Sequence, residues 1–278
     1  MRTAQHLIKA FALFLAAIII ISVFGAIVGG IALLAGITSD DEWGWGDNTG
    51  PWVSTDYDNQ GIRELDINVK ATSVRFRTSR DGEKVKVDTN NEHITTWIDG
   101  ERLNVIEKSH GVFGWGGSGD LIIYLREDVK FDDVKIEVGA GTLHIESLDT
   151  KQLDLNLGAG KSQISNLVVH DHARINGGAG KVDLHDANLQ DAEIKLGVGK
   201  TDIRAKLTGR SKIESGVGKL DLDLLGEEHD YRITIDKGLG SVHLGSQSLD
   251  DGAVYGDGNN YVDIESGVGA VDIRFVRN

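Results

Sequence analysis

A glycine–any residue–glycine triplet recurs through the second half of this 278-residue chain, at Gly139–Gly141, Gly158–Gly160, Gly178–Gly180, Gly197–Gly199, Gly216–Gly218, Gly238–Gly240 and Gly267–Gly269. Successive triplets start 19, 20, 19, 19, 22 and 29 residues apart. A fixed period near 20 is the mark of one supersecondary unit stacked on copies of itself. Around each triplet apolar and polar residues alternate. Val134, Ile136 and Val138, then Leu153, Leu155 and Leu157, then Ala192, Ile194 and Leu196 precede three of them. Val182 and Leu184, then Leu220, Leu222 and Leu224, then Val271, Ile273 and Phe275 follow others. Period two places such residues on one buried face of a strand. Lone apolar residues at Leu148, Leu167, Leu189 and Leu207 fill the place where the chain turns into the next unit.

Each unit therefore reads as strand, glycine corner, strand, corner. One unit alone cannot bury its apolar stripe; stacking at about 4.8 Å buries it and pairs every backbone group with the units above and below. With 36 glycines and one proline, Pro51, the composition fits repeated bends rather than a linker or collagen. The last intervals, which hold Asp250–Asn260, are expected to be loops inserted into a unit, and the final strand, with Arg274 and Arg277, an exposed edge blunted by charge. Residues 62–133 are strand-like but less periodic. Strands are expected at Leu65–Val69, Ser73–Arg77, Lys84–Asp88, Ile94–Ile98, Leu103–Ile106 and Leu121–Leu125, with turns at Asp81-Gly82 and Asp99-Gly100. They form the opening rungs and cap of the same stack.

The N-terminal part has another character. Residues 10–37 carry no charge, long enough for a membrane-spanning helix. Arg2 and Lys9 precede the run and Asp40, Asp41 and Glu42 follow it, which keeps residues 1–9 in the cytoplasm and places the rest outside. The run is longer than the apolar core of a signal peptide. Residues 38–61 are expected to be a linker in which Trp43, Trp45 and Trp52 either sit at headgroup level or are incidental. The expected organisation is cytoplasmic N-terminus 1–9, transmembrane helix 10–37, linker 38–61 and an extracytoplasmic all-β, solenoid-like stack over 62–278.

The string Asp120–Leu148, DLIIYLREDVKFDDVKIEVGAGTLHIESL, followed by GAGK, GVGK and GVGA units, resembles the bacterial "putative adhesin", or toastrack, family of unknown function. Its membrane-anchored members include LiaG-like proteins of Gram-positive envelope-stress operons. The resemblance spans residues 62–275 and implies a β-solenoid-like fold, an exported location and no catalytic residues to carry over.

Charge and motifs narrow the function classes. The net charge of −14 gives no footprint for phosphate-neutralising nucleic-acid binding. Without cysteine there is no disulfide, zinc–thiolate site or thiol nucleophile. GAGKS (Gly158–Ser162) and GVGKT (Gly197–Thr201) mimic a phosphate loop, but the required first glycine falls on Leu155 and Ile194 and a strand follows in place of a helix. Nucleotide binding is not expected. GGAGKVDLH (Gly177–His185) mimics a calcium β-roll, but Val182 stands where the aspartate should be. His170, His172, His144 and His243 offer imidazoles without an identifiable ligand set. No GxSxG or HExxH motif occurs. The chain is expected to work without a cofactor and without turnover.

Two columns remain as a candidate interaction face. Lys161, Lys181, Lys200 and Lys219 share one repeat position, and Asp183, Asp202, Asp221 and Asp272 the outward position two residues later. In a stack they become parallel ladders, either a self-screening solvated face or a docking surface for a protein or charged wall polymer. Phe113 and Trp115, in the glycine-rich loop Gly111–Asp120, are a candidate contact loop or an end cap. The expectation is an accessory or sensory envelope protein acting on another membrane or envelope protein. A surface adhesin or wall-polymer binder is the alternative, and a carbohydrate-active β-helix enzyme a weaker one. A tether of about 20 residues reaches only tens of ångströms as a flexible coil, which favours a membrane-proximal partner.

Overall fold

The computed structural model describes residues 50–58, 61–79, 84–108, 119–126 and 129–277. The expected membrane span, Trp43 and Trp45, and the loop bearing Phe113 and Trp115 lie outside them. Among the described residues no helix is long and apolar enough to cross a membrane.

The chain from Val53 onward is a succession of strands. Seven short ones come first: β1 (Val53–Asp58), β2 (Glu64–Val69), β3 (Thr72–Ser79), β4 (Lys84–Thr89), β5 (Ile94–Asp99), β6 (Arg102–Glu107) and β7 (Gly119–Arg126). Long strands follow: β8 (Lys130–Ile145), β9 (Leu148–Ser165), β10 (Leu167–Gln190), β11 (Ala192–Thr208), β12 (Arg210–Leu225) and β13 (Tyr231–Leu244). After β14 (Gln247–Leu249) and β15 (Val254–Tyr255), β16 (Asn260–Val276) ends the fold. All six strands expected in residues 62–133 are present. β1 falls within the stretch 38–61 expected as linker, so part of that stretch belongs to the sheet.

The long strands pair in parallel and in register, in the order β8, β9, β10, β11, β12, β16, β13. Equal spacing brings the same repeat position of each unit into one column. Val105, Ile67, Ile136, Leu155, Ile175, Ile194, Ile213, Ile264 and Ile235 form one such column across the stack. Every member is at most 2% exposed. Each buried side chain of this size contributes about 1.5–3 kcal/mol relative to the exposed one, so the alternation read from the sequence is the main source of cohesion.

The opening rungs are built from pairs of short strands. β2 lies on the first arm of β8 and β3 on its second arm; β6 and β7 lie on β2 and β3 in the same direction. β4 and β5 then cap β7 and β6 antiparallel, and β1 covers β4. The bend between β2 and β3 has no glycine triplet. The buried carboxylate of Glu107 takes its place, accepting hydrogen bonds from the backbone N–H of Lys70 (2.6 Å) and Ala71 (3.1 Å) and the hydroxyl of Thr72 (3.1 Å). The carboxylate thus supplies hydrogen-bond acceptors to amides that the bend leaves without a strand partner.

Two expectations need correction. First, β16 is not an edge: it is inserted between β12 and β13. The segment expected as an inserted loop, Asp250–Asn260, contains β15 and follows β14, and both short strands pair with β13. Arg274 and Arg277 pair with Asp223 and Glu227 instead of guarding an edge. Second, the triplets do not separate strands; the ladder runs through them, Gly180 opposite Gly160 and Gly199 opposite Gly180.

The role of the glycines follows from that register. In six of the seven triplets the second glycine adopts φ near +140°, as at Gly180 (+139°) and Gly199 (+144°). A Cβ there would point along the stack, not away from it. On Gly199 it would lie 1.9 Å from the carbonyl oxygen of Gly180, a backbone atom that cannot swing aside. Gly199→Ala is therefore expected to destabilise the protein by about 3 kcal/mol or more, from forced separation of rungs plus strained φ. Gly245→Ala, at φ +57° with nothing within 4 Å, should cost only about 1 kcal/mol. Urea denaturation of both variants checks the difference.

Candidate functional site

The two outward faces of the stack are lined by ion pairs. On the second arm the predicted columns form: Lys161, Lys181, Lys200 and Lys219 are successive cross-strand neighbours, and so are Asp183, Asp202, Asp221 and Asp272. They do not repel as separate ladders, because Lys181, Lys200 and Lys219 each bridge two rungs. Lys181 Nζ is 2.8 Å from Asp183 and 3.7 Å from Asp202. Lys200 is 3.1 Å from Asp202 and 3.8 Å from Asp221. Lys219 is 2.8 Å from Asp221 and 3.1 Å from Asp272, and His243 closes the row 3.4 Å from Asp272. Lys161 has Gln163 in place of the aspartate and no ion pair among the described residues.

Asp183, expected to point into solvent, is buried at 4% exposure. Burial pushes its carboxyl up, and the Lys181 hydrogen bond and charge more than reverse this, leaving it below the usual carboxylate range. Lys181 is raised, chiefly by its hydrogen bond to Asp183. The first arm is also lined outward by ion pairs, with Lys212 2.9 Å from Glu214 and 2.8 Å from Glu265, and Lys195 2.7 Å from Glu193. There the columns alternate in sign, Glu193 opposite Lys212 and Lys195 opposite Glu214, so opposite charges meet directly across the rungs.

Between the two faces runs a feature that the reading of the sequence passed over. The middle residues of the triplets line up as Ala140, Ala159, Ala179, Val198, Val217, Val268 and Leu239. Flanked by glycines whose side-chain positions face the neighbouring rung, these residues project outward. Val198, Val268 and Leu239 are 41%, 39% and 65% exposed. Seven rungs at strand spacing make an apolar ridge about 29 Å long. A shallow open groove follows it, lined by backbone glycine, by Leu157, Leu196, Ser162 and Thr201, and by Lys181 and Lys219 at its margin. No carboxylate and no imidazole lines it. The available signal was the growth of the middle residue from Ala to Val to Leu along the repeats.

The other sequence candidates fall elsewhere. The phosphate-loop mimics lie within β9 and β11, with no helix beside them. His170 pairs with Asp149 at 2.7 Å. Among the described residues no group of three or more His, Asp or Glu is placed to hold a metal ion.

Acid titration reads the ladders. Asp183 and Glu193 are held low, Glu193 chiefly by its hydrogen bond from Lys195, and Asp132 by Arg63 and Lys151 down to about 2. A carboxylate lowered in the folded state contributes stability that is present above its unfolded pKa and lost as pH falls through the folded one. The melting temperature should be nearly level from pH 8 to 5 and fall between about pH 4 and 2. Lys200→Ala, exposed, should change stability by no more than about 1 kcal/mol at pH 7. Thermal melts across pH check both.

Comparison with known proteins places the fold. The family model described as Toastrack DUF4097 matches residues 62–273. No curated protein matches. Among solved structures, a "putative cell adhesion protein" from Clostridium sporogenes is 16% identical, with TM-score 0.35, covering 81% of this chain and 99% of its own. A "putative adhesin" from Bacteroides fragilis is 16% identical, with TM-score 0.45, over 81% and 97%. One from Parabacteroides distasonis is 10% identical, with TM-score 0.36, over 82% and 98%. The seven in-register triplets and the family match over most of its length make this chain a member of the toastrack family.

Proposed function

We propose that this protein is a non-enzymatic binding module of the bacterial cell envelope, anchored by one N-terminal span, that acts on another membrane or envelope protein through the triplet ridge. The observation that carries this reading is the apolar ladder from Ala140 to Leu239, exposed at Ala140, Val198, Val268 and Leu239 and held between two faces lined by ion pairs. An apolar core with a polar rim is the usual make-up of a protein–protein contact. The in-register stack holds the ridge rigid, so little conformational freedom is lost on binding.

Binding, not turnover, is favoured because the groove beside the ridge offers no acid, base or nucleophile pair, only apolar groups, small hydroxyls and two lysines engaged with aspartates. The same pairing weighs against a wall polymer as the ligand, since three of the four column lysines are neutralised by carboxylates. An envelope-stress role rests on the family's membrane-anchored members, and the uncharged run at 10–37 supports the anchor.

Photo-crosslinkers at Val198 and Val268 should capture one and the same envelope protein in intact cells, and one at Asn188, exposed on another part of β10, should not. Val198→Asp with Val217→Asp should abolish the capture and leave the melting temperature within a few degrees. Capture that is equal from positions 188, 198 and 268, or unaffected by the aspartates, would remove the ridge from consideration.

A further inference from the structure

The two ends of the stack are finished differently. At the β13 end, β14 and β15 cover the outer edge: the Ile235 N–H donates to Ala253 at 2.9 Å and the Gly252 N–H to Ile235 at 3.0 Å. Phe275 packs against Tyr231 and Tyr255 above the last core residues, with ring centroids 5.9 and 6.4 Å apart. At the opposite end β1 pairs, among the described residues, with β4 alone. β5 pairs with β6 and with no other strand among the described residues. Its Ile98 continues an inward column through Leu103, Leu65, Val134 and Leu153, all at most 3% exposed, yet Ile98 itself is 41% exposed. On the outer face Trp97 is 43% exposed.

This edge carries none of the usual protection. The free edge of β1 follows Pro51 and bears Asp56 and Asp58, whereas β5 reads Ile94-Thr95-Thr96-Trp97-Ile98 without charge or proline until Asp99. A long uncharged edge is a template for another strand.

Backbone phase then selects the pairing. The hydrogen bond from Lys108 N–H to the His93 carbonyl (3.0 Å) sets residues 93, 95, 97 and 99 as those bonded to β6. In an antiparallel ladder the alternate residues turn their backbone groups outward: both groups of Thr96 and Ile98, and the carbonyl of Ile94, whose N–H donates to the Asn91 carbonyl at 3.1 Å. A second copy of β5, antiparallel about a two-fold axis at Thr96, uses that set: Thr96 bonds reciprocally to Thr96, and each Ile98 N–H donates to the second copy's Ile94 carbonyl. In the same register Ile98 lies opposite Ile94 on the inward face, Trp97 opposite Thr95 on the outward face, and Asp99 opposite His93. The strand is complementary to itself in backbone hydrogen bonding and apolar surface, as an isologous contact requires.

We propose that the protein forms a homodimer through antiparallel β5–β5 pairing centred on Thr96, which closes the open end of its core. The net charge of −14 on each copy opposes association at long range. That repulsion is screened beyond about 8 Å at physiological salt, and the contacting residues 94–98 are themselves uncharged.

The chain has no cysteine, so an introduced one reports on a single contact. Hydrogen-bonded antiparallel partners have Cα atoms about 5.5 Å apart, inside the disulfide range. In the full chain in detergent, Thr96→Cys should oxidise to a covalent dimer far faster than Asn188→Cys. Because Thr96 also accepts a hydrogen bond from Tyr57, an independent pair keeps the test sound should Thr96→Cys misfold. Thr95→Cys and Trp97→Cys chains should crosslink to each other when mixed and neither should with itself. Light scattering should give twice the 30.0 kDa chain mass, and Ile98→Lys should return it to one. A monomeric mass for the unaltered chain, crosslinking at 95 and 97 indifferent to mixing, a dimer that survives Ile98→Lys, or a Thr96→Cys disulfide to a different protein would overturn the proposal.

Discussion

Close backbone contact at the triplet is the constraint on which the remainder of the structure depends. The second glycine of each rung lies so near the carbonyl of the preceding rung that a Cβ would sit 1.8–1.9 Å from it at Gly160, Gly180, Gly199, Gly218, Gly269 and Gly240. Rungs that touch there without side chains are held in register by geometry as well as by hydrogen bonds. A slip of one residue would put a lysine or a valine where only glycine fits. It would also turn every apolar column to the solvent. The glycines thus act as registration marks, and the buried columns supply the cohesion that makes registration worth enforcing.

Register in turn governs the surface. Identical residues stacked at strand spacing create like-charge columns, which a parallel stack cannot avoid when its units repeat. The chain answers by offsetting lysine and aspartate by two residues, so that each ammonium reaches its own carboxylate and that of the next rung. On the first arm the columns alternate in sign instead, Glu193 beside Lys212 and Lys195 beside Glu214. Beside these ion-paired faces, the apolar corner is a continuous surface of different chemistry. The proposed binding role follows from this division of labour between faces and corner.

The ends obey a different rule, since a stack has no intrinsic stop. The β13 end is closed by a local return of the chain with three aromatic rings; the β5 end leaves part of a core column exposed. The opening rungs also show that glycine is not the only way to bend a rung. Glu107, joined by Asn91 at 3.2 Å, gathers the amides of the β2–β3 bend that glycine-lined corners satisfy through their neighbours.

Local pattern by itself determined the strands, their inward faces, the stacking and the family, because alternation and a period near 20 are properties of consecutive residues. The columns of Lys181, Lys200 and Lys219 beside Asp183, Asp202 and Asp221 were legible for the same reason. What pattern could not carry was any relation between residues far apart in sequence. That β16 slides between β12 and β13, that Glu107 reaches back to Lys70 and Ala71, and that Asp183 is buried beneath Lys181 all depend on which rungs become neighbours. The outward ridge was equally hidden, because the direction of Val198 or Leu239 depends on glycine φ values and on the carbonyl of the adjoining rung. Only the assembled stack supplies those neighbours, so only the tertiary structure decided where its edges, its paired charges and its exposed apolar line would lie.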